Sequence, residues 1–211
     1  MDTAWSEAAA RIVAAGQWLD RRFWVPATAG NLSERLADGR IAITRSGNHK
    51  GRLTPADIIE VDADGAPLRP ELGRPSAETG LHCQIYRHFP SAGAVLHGHS
   101  VPATVLSLHR GALDPVDALH FENMELLKAF EAQTTHATRL SLPVVDNDQD
   151  MSALARRLEP ILPRCSMGYL LRGHGIYVWA PDMDLAIARM EALEFLLGCL
   201  LESRKLEAAL P

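Results

Sequence analysis

Two apolar runs constrain this chain more than any other feature. Residues 92–104 read AGAVLHGHSVPAT, and residues 168–180 read GYLLRGHGIYVWA. Each has the continuous hydrophobicity of a buried strand, and each carries histidine where that strand ends or is interrupted. His97 and His99 stand two apart, so in extended backbone both rings project from one face, with Cα atoms roughly 6.5–7 Å apart. His174 lies between Gly173 and Gly175, and glycine inside a strand marks a bulge or a close approach of another backbone.

The rest of the sequence supplies a frame for these strands. Trp5, Ala8, Ile12, Ala15 and Leu19 recur at helical spacing and predict a helix over residues 4–22. NLSERLADGRIAITRSG (31–47) reads as a hairpin turning at Asp38-Gly39, and DIIEVDADGAPL (57–68) as a second one turning at Asp64-Gly65. RPSAETGLHCQIYRHFP (74–90) predicts a helix with Ser76 as N-cap and Leu81, Ile85 and Phe89 as its core stripe. A helix after Pro102, a helical turn over 121–131, a strand in RLSLPVVD and helices over 149–159 and 182–206 complete the pass. The 168–180 run is expected to be one long strand. Helices and hairpins alternate without regular βαβ units, which predicts one domain over 1–211 with a largely antiparallel sheet flanked by helices.

Two imidazoles on one strand face can converge on a metal ion at about 2.0–2.1 Å. On its own the pattern is more often a hydrogen-bonded pair at a strand end. A bulge at His174 could bring in a third ligand, and three histidines leave the open position of a catalytic rather than a structural metal site. The remaining histidines (49, 82, 88, 109, 120 and 136) read as surface or capping residues. TAGNLSER (28–35) and TRSGNHKG (44–51) are polar, glycine-bearing turns whose N–H groups, hydroxyls and Lys50 could cradle a phosphate. Each taken singly is an ordinary turn. Glu78 in a first helical turn and Glu125 in NMELLKAF would not be selected on charge alone.

Composition narrows the partners. The formal net charge of −5, with signs mixed along the chain, gives no reason to expect nucleic acid or an anionic membrane. Three widely spaced cysteines with no CxxC fit a reducing compartment. The N-terminus lacks the basic and apolar regions of a signal peptide, and no apolar run reaches the roughly 18 residues of a membrane span. A cytoplasmic protein is expected.

In order along about 150 residues the chain carries GN-x-S, T-x-SG, PSAE, H-x-H-S and GHG. This set resembles the class II (zinc-dependent) aldolase/adducin-head family over essentially the whole chain, and within it the sugar-phosphate dehydratase branch. The resemblance implies a three-layer α/β/α fold around a central, mainly antiparallel sheet. It also implies a homotetramer with sites near subunit interfaces, a small-molecule sugar-phosphate substrate and one Zn²⁺ per subunit on His97, His99 and His174. It places Asn31, Ser46, Gly47, Ser76 and, as an addition, Lys50 around the phosphate, with Glu78 and Glu125 as the acid/base carboxylates. Some dehydratases of the family carry cysteine where this chain has Glu78, and the aldolases carry glutamate there. The aldolases and pentulose-phosphate epimerases also use a C-terminal tyrosine, whereas the last tyrosine here is Tyr177. A non-catalytic adducin-like module would be expected to have lost the histidines, and a cupin would carry a glutamate near HGHSVPAT.

Overall fold

The computed structural model describes residues 3–108 and 117–209. The first helix, α1 (Thr3–Asp20), buries the stripe Ala8, Ile12, Ala15 and Leu19. Next come β1 (Asn31–Arg35), β2 (Ile41–Thr44), β3 (Ile58–Val61), α2 (Thr79–His88), β4 (Ala94–Gly98) and α3 (Val101–Leu108). Then follow β5 (Ala118–Glu122), a 3₁₀ turn over Glu125–Ala129, β6 (Arg139–Val145), α4 (Met151–Leu158), β7 (Tyr169–Leu171), β8 (Ile176–Ala180) and α5 (Met183–Ala209). The sheet has the order β3-β2-β1-β4-β8-β7-β6-β5. Among these pairs only β6 and β7 run parallel.

Alternation along the strands builds two cores. Leu32, Ala94, Leu96, Ile176 and Val178 point to one face, where α1, α3 and α5 pack. Ile41, Ile43, Ile59, Val95, Tyr177 and Trp179 point to the other, against α2 and α4. The result is a three-layer α/β/α architecture, as the family resemblance implies, built on the antiparallel sheet flanked by helices that the sequence pattern predicts. Among the described residues no helix is long and apolar enough to cross a membrane.

Three local expectations need correction. The turn at Asp64-Gly65 closes, with Gly65 N–H donating to Asp62 O at 3.0 Å. Its return arm is only a single bridge between Val61 and Pro67, because prolines at 67 and 70 lack the N–H groups a ladder needs. Ser76 is not the N-cap of α2. The helix starts three residues later with Glu78 in that position, and the Ser76 hydroxyl accepts from Asn31 Nδ2 and Glu78 N instead.

The 168–180 run is a hairpin rather than one interrupted strand. β7 and β8 pair antiparallel, Tyr169 opposite Tyr177, and residues 172–175 make the turn. Gly173 sits at φ +63°, in the left-handed region that favours glycine. Gly175 lets β8 come against β4: a Cβ there would lie far inside contact distance of the Gly98 carbonyl and 3.0 Å from His97 Cε1.

That packing predicts opposite effects of one substitution at two sites. Gly175→Ala should destabilise by about 2–3 kcal/mol through overpacking, a fall of roughly 4–12 °C in Tm for a chain of this size. Gly80→Ala, exposed on α2 with open space around its Cβ position, should stabilise by up to about 1 kcal/mol. Thermal melts check both, and equal effects would contradict the close approach at Gly175.

Candidate metal centre and active site

The strand register sets the site. Asn31 on β1 lies opposite His97 on β4, His97 opposite Tyr177 on β8, and Tyr177 opposite Tyr169 on β7. These four side chains form one row on the α2/α4 face. Their rings stack: His97 on Tyr177 with centroids 4.0 Å apart and planes 17° apart, and Tyr177 on Tyr169 at 4.8 Å and 18°. His97 Nδ1–H donates to Ile176 O at 2.9 Å, so the lone pair is on Nε2.

His99 follows just beyond the end of β4, anchored by its N–H to Trp24 O at 2.6 Å, and its Nε2 lies 2.9 Å from His97 Nε2. The β7–β8 turn delivers His174, whose Nδ1 faces Asn147 Oδ1 at 3.3 Å. The ligand nitrogens of the three histidines all lie within 4.8 Å of one another. A backbone carbonyl behind one imidazole and an amide oxygen behind another are the partners that fix ligand tautomers in metal sites.

Electrostatics favour the same use. Burial, followed by the neighbouring His99 and His174, holds His97 well below the ordinary histidine range. Burial, His174 and Lys50 push His99 down to about 4. Both rings are therefore neutral near pH 7, the form that ligates a metal. Three imidazoles converging from two directions fit a divalent ion of the zinc type, with a position left for substrate.

Glu78 completes the cluster. Its carboxylate lies 3.4 Å from His97 Nε2 and 3.2 Å from His174 Nε2. Asn31 Nδ2 donates to Glu78 Oε2 at 2.5 Å and to Ser76 Oγ at 3.0 Å, which commits both N–H groups of that amide. Ser76 Oγ thus accepts two N–H bonds and keeps its own proton to donate elsewhere. The groups open onto a pocket of about 540 Å³ whose walls include Asn31, Ser46, Gly47, Lys50, Ser76, Glu78, His99 and His174. Lys50 is buried and donates to Thr28 O at 2.7 Å and Asn48 O at 2.8 Å, tying together the two polar turns seen in the sequence. Burial lowers its pKa to about 8 against the opposing pull of Glu78.

Every candidate therefore meets at one pocket or on its floor except Glu125. Glu125 begins the 3₁₀ turn after the edge strand β5, is exposed, and pairs with Lys128, which lowers its pKa. It does not line the pocket. Among the other histidines, His49 caps a 3₁₀ turn by accepting from Gly51 N at 3.2 Å, and His120 and His136 are exposed. His109 lies outside the described residues. His82 departs from expectation, since it is fully buried on α2. Asn147, the partner of His174, also escaped notice, and its one signal is the polar run DNDQD directly after a strand.

Comparison with known proteins agrees with this geometry. Residues 10–201 match the family described as Class II Aldolase and Adducin N-terminal domain. The chain is 57% identical over 199 residues to a methylthioribulose-1-phosphate dehydratase of Gluconobacter oxydans, covering 94% of this chain and 93% of that one. It is 61% identical over 201 residues to the protein of the same name from Granulibacter bethesdensis, covering 94% and 93%. Among solved structures, an L-fuculose-1-phosphate aldolase from Thermus thermophilus superposes with a TM-score of 0.73 at 27% identity, covering 97% of this chain and 99% of that one. YgbL from Klebsiella pneumoniae superposes with a TM-score of 0.81 at 26% identity, covering 95% and 91%.

Two outcomes follow from the cluster. His97→Ala and His174→Ala should each abolish retention of a stoichiometric divalent metal, read by elemental analysis after gel filtration, and full occupancy in either variant would remove that histidine from the ligand set. The metal-stripped protein should lose stability in acid. His82 and His99 are pushed below the unfolded value of 6.5, to about 3 and about 4, so below pH ~6.5 the unfolded chain binds more protons and stability falls with pH. A melting temperature in chelator that stays flat from about pH 7 to about pH 5 would contradict the buried neutral histidines.

Proposed function

Because this chain belongs to the class II aldolase and adducin N-terminal family, we propose that it is a methylthioribulose-1-phosphate dehydratase of methionine salvage. The substrate would be 5-methylthioribulose 1-phosphate and the product 5-methylthio-2,3-dioxopentyl phosphate, with zinc as the metal. The observation that carries this reading is the meeting of His97, His99, His174 and Glu78 at one pocket floor, in a chain whose near-full-length relatives bear that name. The working form is a cytoplasmic homotetramer.

A divalent ion on the three histidines supplies Lewis-acid polarisation of a substrate oxygen, a contribution of several kcal/mol. The chain's own groups then move the protons. The hydrogen on C3 is alpha to the C2 ketone, and Glu78 is the one carboxylate among the described residues that line the pocket beside the histidines. Glu78 takes the C3 proton while Asn31 holds its Oε2 in position. The turn around Ser46 and Gly47, which Lys50 ties to the turn at Thr28, binds the phosphate together with Ser76 and fixes which carbon faces Glu78. The C4 hydroxyl needs a proton to leave, and Glu125 supplies it. Since Glu125 lies outside the pocket of its own chain, a second copy in the tetramer contributes it. Loss of water leaves an enol that tautomerises to the diketone.

Two experiments test these assignments. Glu125→Gln should lower kcat by at least about 10²-fold, the size of a general-acid effect, with metal content unchanged. Mixed oligomers of Glu125→Gln and His174→Ala chains should then regain up to roughly a quarter of the wild-type rate, the share of sites in randomly mixed rings that combine one intact histidine set with one intact carboxylate. No recovery would end the role in trans, and a near-normal Glu125→Gln rate would end the role altogether. Ser46→Ala should raise KM with little change in kcat, because it removes a contact remote from the breaking bond. An unchanged KM would reduce TRSGNHKG to a structural turn.

A further inference from the structure

Behind Glu78, away from the pocket, runs a chain of buried polar groups that the reaction does not consume. Asn31 and Ser33 stand two apart on β1 and face α2. From α2 they meet Glu78, His82 and Tyr86, each four residues after the last. Two residues of strand advance about 6.6–6.8 Å and four residues of helix about 6 Å, so the two ladders stay in step. Asn31 Nδ2 donates to Glu78 Oε2 at 2.5 Å, and Asn31 Oδ1 meets His82 Nε2. His82 Nδ1 lies 2.7 Å from Ser33 Oγ, and Ser33 Oγ lies 2.8 Å from Tyr86 Oη. Ser33, His82 and Tyr86 are buried.

The donors and acceptors have one consistent arrangement. A carboxylate only accepts, so the Asn31 NH₂ must face Glu78 and its Oδ1 must face His82. His82 then carries its proton on Nε2 and donates to Asn31. Its Nδ1 accepts from the Ser33 hydroxyl, which in turn accepts from Tyr86. Turning the Asn31 amide over would set two oxygens against each other at Glu78.

We infer that His82 is a positioning residue: locked by Ser33 and Tyr86 as the neutral Nε2–H tautomer, it fixes the Asn31 amide, and through it the aim of Glu78 and Ser76. The relay is not a proton wire. Burial pushes His82 down to about 3 and the Tyr86 hydroxyl far above its ordinary range, so neither end can take up a charge near neutral pH. This inference rests on the roles given above to Glu78 and Asn31.

The test combines a readout free of turnover with a pair of variants. In metal-loaded wild-type protein labelled with ¹⁵N-histidine, long-range ¹⁵N–¹H spectra should show His82 neutral, with its proton on Nε2, across about pH 5 to about pH 8. A charged ring or the Nδ1–H tautomer would overturn the inference, whether or not the substrate assignment holds. His82→Phe removes the donor and should lower kcat by about 10–100-fold, with metal content and KM changed far less. His82→Gln places an N–H near the same point and should recover most of that loss. Equal kcat values for His82→Phe and wild type would overturn the inference, as would equal losses in the Phe and Gln variants. If His82→Phe fails to fold, Ser33→Ala serves in its place: it removes the partner of Nδ1 and should lower kcat while leaving bound metal intact. A normal kcat in Ser33→Ala with the Nε2–H tautomer lost would equally refute it. Absence of dehydratase turnover in wild type would instead refute the substrate reading, and the tautomer spectrum would still decide the relay.

Discussion

The antiparallel register of β1, β4, β8 and β7 is the constraint on which the rest of the site depends. It sets Asn31, His97, Tyr177 and Tyr169 in one row. A slip of one residue in any of these strands would send its member of the row to the opposite face. The apolar alternation prevents such slips, because Val95 and Leu96, or Tyr177 and Val178, would exchange cores. The packing that holds the sheet together therefore also aims His97, the first of the three clustered imidazoles. His99 and His174 follow from the same register, one by leaving the end of β4 and the other from the tight turn into β8.

The interior around that row accepts polar groups only where each has a partner or a use. An unmade hydrogen bond in such a place costs about 1–3 kcal/mol, and the relay from Tyr86 to Glu78 avoids that cost through an unbroken run of donors and acceptors. The stacked tyrosines differ: the hydroxyl of Tyr169 has no hydrogen-bond partner among the described residues, while that of Tyr177 faces the Glu78 carboxylate. The two rings brace His97. His97, buried and held neutral, loses little by giving up water to a metal, since it already lies outside it. A metal held by the three rings would couple its binding to folding.

Much of this was legible in the sequence, for reasons that differ from residue to residue. His97 and His99 stood out because a two-residue spacing in an apolar strand determines direction. His174 was legible as a site but its element was not, since Gly-His-Gly in an apolar run describes a bulge and a tight hairpin equally well. His82 was passed over because Leu81 and Ile85 already explain α2 as an amphipathic helix, and its polar stripe shows only against β1. Ser76 was misread because its hydroxyl serves Asn31, a partner 45 residues away, rather than a helix end. Glu125 came from resemblance alone. No local pattern singles it out, and it lies outside the pocket of its own chain.

The proposed reaction of this constellation is elimination of water from a ketose phosphate. The most direct measurement is turnover of 5-methylthioribulose 1-phosphate by the metal-loaded protein in deuterated water, with products identified by ³¹P NMR and mass spectrometry. One phosphorylated product is expected, with all five sugar carbons: a 2,3-diketone lacking the elements of water and carrying deuterium at C4 from tautomerisation of the enol. Cleavage between C3 and C4 into dihydroxyacetone phosphate and a methylthio aldehyde, or an intact pentulose inverted at C4, would contradict it and make the centre an aldolase or an epimerase.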